Sequence, residues 1–81
     1  MKRKELELLI SISENEGQSI QYYTDKIGSP YSYTHKLVQV LDKNQLIQQE
    51  KTNKSVVLRL TEKGKGLIGP ARLVLRINSE T

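Results

Sequence analysis

Residues 29–46 read Ser29-Pro30-Tyr31-Ser32-Tyr33-Thr34-His35-Lys36-Leu37-Val38-Gln39-Val40-Leu41-Asp42-Lys43-Asn44-Gln45-Leu46, and the rest of the chain is arranged around them. Ser29 is the expected N-cap, and Pro30 suits the first helical position, where a missing N–H costs nothing and φ is already set. Thr34, Leu37, Val38 and Leu41 recur at three- and four-residue spacing, so they share one buried stripe. The opposite face carries Ser32, Tyr33, Lys36, Gln39 and Lys43, with no acidic residue before Asp42. An ordinary surface helix would show the same stripe. The cationic, hydrogen-bonding outer face goes further and suits the major groove of duplex DNA. About 14 residues at 1.5 Å each give roughly 21 Å of helix, enough to cross that groove.

Working upstream, residues 4–14 form a first expected helix. Leu6, Leu9, Ile10 and Ser13 make one stripe, and Leu8 with Ile12 a second beside it. A helix apolar on more than one face either sits centrally in the core, the reading with fewer assumptions, or meets a second chain. Gly17 stops this helix. Ser19 and Ile20 fit either a short β-bridge or the start of a second helix over residues 21–27, which turns Ile20, Tyr23, Thr24 and Ile27 inward. Gly28 ends it and Ser29-Pro30 restarts a helix at once. Two helices joined by so short a glycine-containing turn form a helix-turn-helix.

Downstream, residues 46–51 and 55–60 read as strands; Val56, Leu58 and Leu60 alternate with Val57 and Arg59 as a half-buried strand requires. Residues 52–54 are the turn, with Lys51, Asn53 and Lys54 at an exposed basic tip. Thr61 caps a final helix, with Glu62 favourably placed against its N-terminal dipole. Gly64, Gly66 and Gly69 weaken that helix, and Pro70 is expected to kink or restart it. The apolar tail over residues 70–81 fits either helix or strand.

The 81 residues make one small domain of α+β class, with formal charge +4 and no cysteine. Disulfides and thiolate metal sites are thereby excluded. Five acidic and no basic residues occupy positions 5–25, whereas nine basic and four acidic residues occupy positions 36–81. The positive potential belongs to the half that holds the polar helix face, where a nucleic-acid footprint is needed. Four Tyr with no Phe or Trp are few rings for a single-strand stacking platform. No apolar segment has the length of a secretory h-region or a membrane span, so no membrane partner is expected and the cytoplasm is the expected location. No phosphate loop is present, and the single His35 has no metal-ligating partner and no base-orienting one. The expectation is a non-enzyme without metal or cofactor.

Two motifs carry a resemblance. Leu41-Asp42-Lys43-Asn44-Gln45-Leu46-Ile47 resembles L-E-x-x-G-L-I, and Leu58-Arg59-Leu60-Thr61-Glu62-Lys63-Gly64 is similar to x-x-L-T-E-K-G, of the winged helix-turn-helix regulators in the MarR, PadR and ArsR-like groups. The resemblance covers residues 4–69. It implies three helices, a two- to three-stranded β-wing and a short C-terminal helix or tail: a domain over residues 1–69 with a possible dimerisation element over residues 70–81. It implies base-edge contacts from Ser32, Tyr33, Lys36 and Gln39 on the recognition helix and contacts from Lys51, Asn53 and Lys54 on the wing. Tyr31, His35 and Lys43, on or beside the same polar face, are further candidate DNA contacts. Gln45 departs from the family's glycine, which puts the turn after the recognition helix in question. The long helices that form the ligand pocket in full-length MarR proteins have no counterpart, so no small-molecule effector is expected. Leu8, Ile12, Leu73, Val74, Leu75 and Ile77 are the expected homodimer interface, because a monomer would expose them. The expected function is sequence-specific binding of double-stranded DNA by a transcriptional regulator. A protein-docking winged helix in a larger assembly is the alternative, as is a replication or plasmid-maintenance factor.

Overall fold

The computed structural model describes residues 2–80, with side chains for residues 2–75. Its order is α1 (Arg3–Glu14), β1 (Gln18–Ser19), α2 (Ile20–Ile27), α3 (Tyr31–Lys43), β2 (Ile47–Lys51), β3 (Val56–Leu60) and α4 (Glu62–Glu80). The strands form one antiparallel sheet in the order β1-β3-β2. Gln18 pairs with Leu58, and Ile47 with Leu60 through Lys51 with Val56. This is a helix-turn-helix followed by a wing. Ser19 serves both of the roles open to it: it ends β1, and its hydroxyl accepts the Tyr22 N–H to cap α2.

Each element contributes one face to a single core. The face comprises Leu8, Leu9 and Ile12 from α1, Ile20, Tyr23 and Ile27 from α2, and Leu37, Val38 and Leu41 from α3, closed by Leu46, Ile47, Leu58 and Leu60. Two expectations change here. Leu8 and Ile12 are fully buried within their own chain, so they offer nothing to a partner. Leu9 borders both stripes of α1, and the core takes the Leu8–Ile12 side, leaving Leu6 and Ile10 half-exposed. Ser29 is not the cap of α3. Pro30 holds that place with ψ 147°, and the Ser29 N–H instead bonds the Thr24 carbonyl at 3.4 Å beside that of Gly28. Ser29 therefore finishes α2 rather than starting α3.

The exit from α3 fixes where the wing begins. The Leu46 N–H reaches the Leu41 carbonyl and the Gln45 N–H the Asp42 carbonyl, both at 2.9 Å, the paired bonds of a Schellman motif. Its left-handed position, usually glycine, is Gln45 with φ 62°. Two hydrogen bonds hold the strained residue's surroundings: the Thr61 hydroxyl donates to the Gln45 carbonyl at 2.6 Å, and the Thr61 N–H to the Leu46 carbonyl at 3.1 Å. Thr61 then caps α4, accepting the Gly64 N–H at 3.1 Å.

The C-terminal segment is helical, and α4 runs unbroken through Pro70. The boundary read after residue 69 falls inside it. Packing outweighs the poor propensity of three glycines and a proline. Leu67 and Ile68 lie against the core, Ala71 is buried, and Arg72 reaches Glu14 of α1 at 3.8 Å. This inner face covers α1, while Leu73 and Val74 point to solvent.

Candidate nucleic-acid interface

The core stripe of α3 fixes what the helix shows outside. Thr34 is the one polar member of that stripe, and its hydroxyl donates back to the Pro30 carbonyl at 3.2 Å, so it is buried without an orphan donor. With Thr34, Leu37, Val38 and Leu41 turned inward, Ser32, Lys36, Gln39 and Lys43 line up along the outermost ridge. All four are exposed, as are Tyr31, Tyr33 and His35.

The two flanks of that ridge differ. On one, Tyr31 and His35 lie ring by ring with centroids 6.4 Å apart. They form a wall of a groove of about 510 Å³ whose other walls are Ser19, Ile20 and Gln21 at the start of α2 and Gln49, Ser55 and Val56 of the wing. The wing-facing flank also holds Asp42, whose carboxylate accepts from the Gln49 side chain at 2.7 Å and ties α3 to β2. On the far flank stand Tyr33 and Val40.

The wing is built to hold its tip in place. The Thr52 hydroxyl donates to the Ser55 carbonyl at 2.8 Å and accepts the N–H groups of Lys54 and Ser55, while the Thr52 N–H takes the same carbonyl at 2.8 Å. Behind the tip, Arg59 and Glu50 pair across the strands at 2.9 Å. Lys51, Asn53 and Lys54 are exposed around this closed turn.

Charge pairing separates the cations into two sets. Arg3, Lys4, Arg59, Lys65 and Arg72 are in ion pairs, and Lys63 bonds the Asn44 carbonyl at the C-terminal end of α3. Among the described residues, the side chains of Lys36, Lys43, Lys51 and Lys54, on α3 and the wing tip, make no hydrogen bond or ion pair; Lys26 of α2, also outside any ion pair, sits over the Tyr22 ring at 5.4 Å. Uncompensated cations on one surface attract a polyanion. Among the described residues no cluster of His, Cys, Asp or Glu could hold a metal ion, and no helix is long and apolar enough to cross a membrane.

The expected interface residues thus fall on one polar helix face and one wing tip. The expected dimer residues scatter: Leu8 and Ile12 are in the core, Leu73 and Val74 are exposed, Leu75 is half-buried, and the Ile77 side chain lies outside the described residues. Sequence reasoning missed Val40, 40% exposed one turn beyond Lys36, although a helical projection from Leu37 and Leu41 would have placed it. It also missed Gln21, Gln49 and Ser55, which only the packing of the wing brings beside His35.

No family model matches the chain. An uncharacterised protein of Archaeoglobus fulgidus is 29% identical to it, over 94% of this chain and 84% of that protein. A MarR family transcriptional regulator from Silicibacter pomeroyi superposes over 99% of this chain and 58% of its own, with TM-score 0.83 and 19% identity. The PcaV transcriptional regulator from Streptomyces coelicolor, solved with its natural ligand, has TM-score 0.88 and 17% identity over 96% of this chain and 58% of its own. The transcriptional repressor CouR, solved on a 23-mer DNA duplex, has TM-score 0.77 and 16% identity over 88% of this chain and 52% of its own. The chain spans little more than half the length of these three regulators, and what it shares with them is the fold.

Proposed function

From this winged-helix fold and its unpaired cations, we propose that the chain is a sequence-specific binder of double-stranded DNA. It acts as a transcriptional regulator, as a homodimer in the cytoplasm, without catalysis. One observation carries the reading: the side chains of Lys36 and Lys43 on α3 and of Lys51 and Lys54 at the wing tip are exposed and unpaired, and the Arg59–Glu50 pair of the wing lies behind that tip. Lysines supply sequence-independent affinity for phosphates, and hydrogen-bonding side chains of α3 supply the choice of sequence. A regulator of the same fold bound to duplex DNA supports the assignment. The dimer rests on Leu73 and Val74, 59% and 44% exposed on the outer face of α4. Two-fold pairing would set two copies of α3 about one DNA turn apart, roughly 34 Å, on a near-palindromic site.

Binding isotherms on random and on selected duplexes across a salt series test it. The selected duplex should bind more tightly at every salt concentration. Lys36→Ala or Gln39→Ala should cost about 1–3 kcal/mol on that duplex and much less on random DNA. Equal losses on both would reduce the residue to backbone positioning. Absence of duplex binding at low salt would leave the fold as a protein-docking module.

A further inference from the structure

We propose that Val40 reads the 5-methyl group of a thymine, which makes it a specificity-determining residue; the inference rests on the duplex-binding function above. Val40 is 40% exposed on α3, between Lys36 and Lys43, and immediately follows Gln39. Single exposed apolar residues are common and mean little in isolation. This one stands among positions 32, 33, 35, 36, 39 and 43, all of which carry a hydrogen-bonding group. An exposed helical position is served better by Ala, Lys or Glu, since valine loses side-chain freedom there.

Major-groove chemistry gives that side chain a partner. The thymine methyl is the apolar group that the base edges present in that groove, and apolar side chains recognise it by contact. Valine is suited to this because its χ1 is nearly fixed in a helix, so little rotamer freedom is lost when the contact forms. The neighbouring Gln39 has the amide that pairs with adenine through N6 and N7. The two residues together specify an A·T-containing step on each half-site. Lys36 and Lys43, a turn to either side, hold the segment against the groove.

The test uses the full chain and the duplex selected from a random pool, with each thymine replaced in turn by uracil, which lacks only the methyl. One thymine in each half-site should weaken binding about fourfold when replaced, the weight of one buried methyl. Val40→Ala should bind the parent duplex about as weakly as the unaltered chain binds that uracil duplex, and should no longer respond to uracil there. Its responses elsewhere should be unchanged, and its circular dichroism should match that of the parent. A uracil profile identical in Val40→Ala and the unaltered chain overturns the inference, as does a flat profile in both, while tight selective binding in either case leaves the duplex-binding function standing. Failure to bind any duplex removes both.

Discussion

Gly64 shows what a single atom decides. A Cβ built there would meet the Leu46 carbonyl oxygen at 2.1 Å, a backbone atom held by its bond from the Thr61 N–H. Gly66, two residues further along on the exposed side of α4, has open space. Gly64→Ala should therefore destabilise by about 1–3 kcal/mol through overpacking, whereas Gly66→Ala should stabilise by about 0.5–1 kcal/mol through helix propensity. Urea unfolding of the pair reads this out, and equal signs would refute the close approach. Tyr23 is a second such position. Its buried hydroxyl donates to the Asn15 carbonyl and accepts the Gln18 N–H at 3.2 Å, joining α2 to the segment that leads into β1. Tyr23→Phe should cost about 1–2 kcal/mol. Burial raises the phenol's pKa above the ordinary 10.0. The unfolded chain releases that proton first, so the stabilisation is intact below about pH 10 and is lost as pH rises through the folded value. Stability measured from pH 9 to 11 should fall in the parent more steeply than in Tyr23→Phe. The glycine of Thr61-Glu62-Lys63-Gly64 was legible as part of a motif, but its reason lies 18 residues away in Leu46 and is visible only in three dimensions.

Among the elements, α3 and the wing could be read from the chain alone because each has a single periodicity. Thr34, Leu37, Val38 and Leu41 leave one way to turn the helix. In β3, Leu58 and Leu60 are buried on either side of exposed Arg59, while β2, buried at Ile47 alone, follows from the short turn that joins it to β3. Helix α1 was ambiguous, because Leu6, Leu8, Leu9, Ile10 and Ile12 cover more than half its circumference and only the neighbouring helices choose among them. Helix α4 was obscured by its glycines and proline, although Gly64, Leu67, Ile68, Ala71 and Leu75 already sit at the spacing of one inner stripe. The wing carries the prediction at this scale. Its tip is closed by Thr52 and presents the ammonium groups of Lys51 and Lys54 without hydrogen-bond or ion-pair partners. If each meets a phosphate, Lys51→Ala and Lys54→Ala should each lower the slope of log K against log salt by about 1. Slopes unchanged in both would take the wing out of the interface.

At the scale of the whole molecule, burial of Leu8 and Ile12 leaves the proposed dimer resting on α4. Removing everything after Gly69 would also remove Ala71, which is 2% exposed and part of the packing on α1. Leu73→Ser together with Val74→Ser changes only the outer face and is the cleaner test. Sedimentation equilibrium at micromolar concentration should give about twice 9.3 kDa for the parent and 9.3 kDa for the double variant. A parent that sediments at 9.3 kDa throughout would dispose of the dimer. Another property of the whole chain follows from the shortest strand. Gln18 of β1 pairs with Leu58, 40 residues later, and the Leu60 N–H beyond it is taken by the Glu16 carboxylate at 2.7 Å. Closing a loop of that length costs about 3 kcal/mol in chain entropy, which two residues of ladder hardly repay on their own. These bonds consequently form late in folding, after α2, α3 and the wing are in place. The Leu60 amide and the Gly17 amide, which bonds the Leu58 carbonyl at 2.8 Å, should therefore be released first, exchanging with solvent deuterium by local opening and faster than the amides of α1 and α3 in the core.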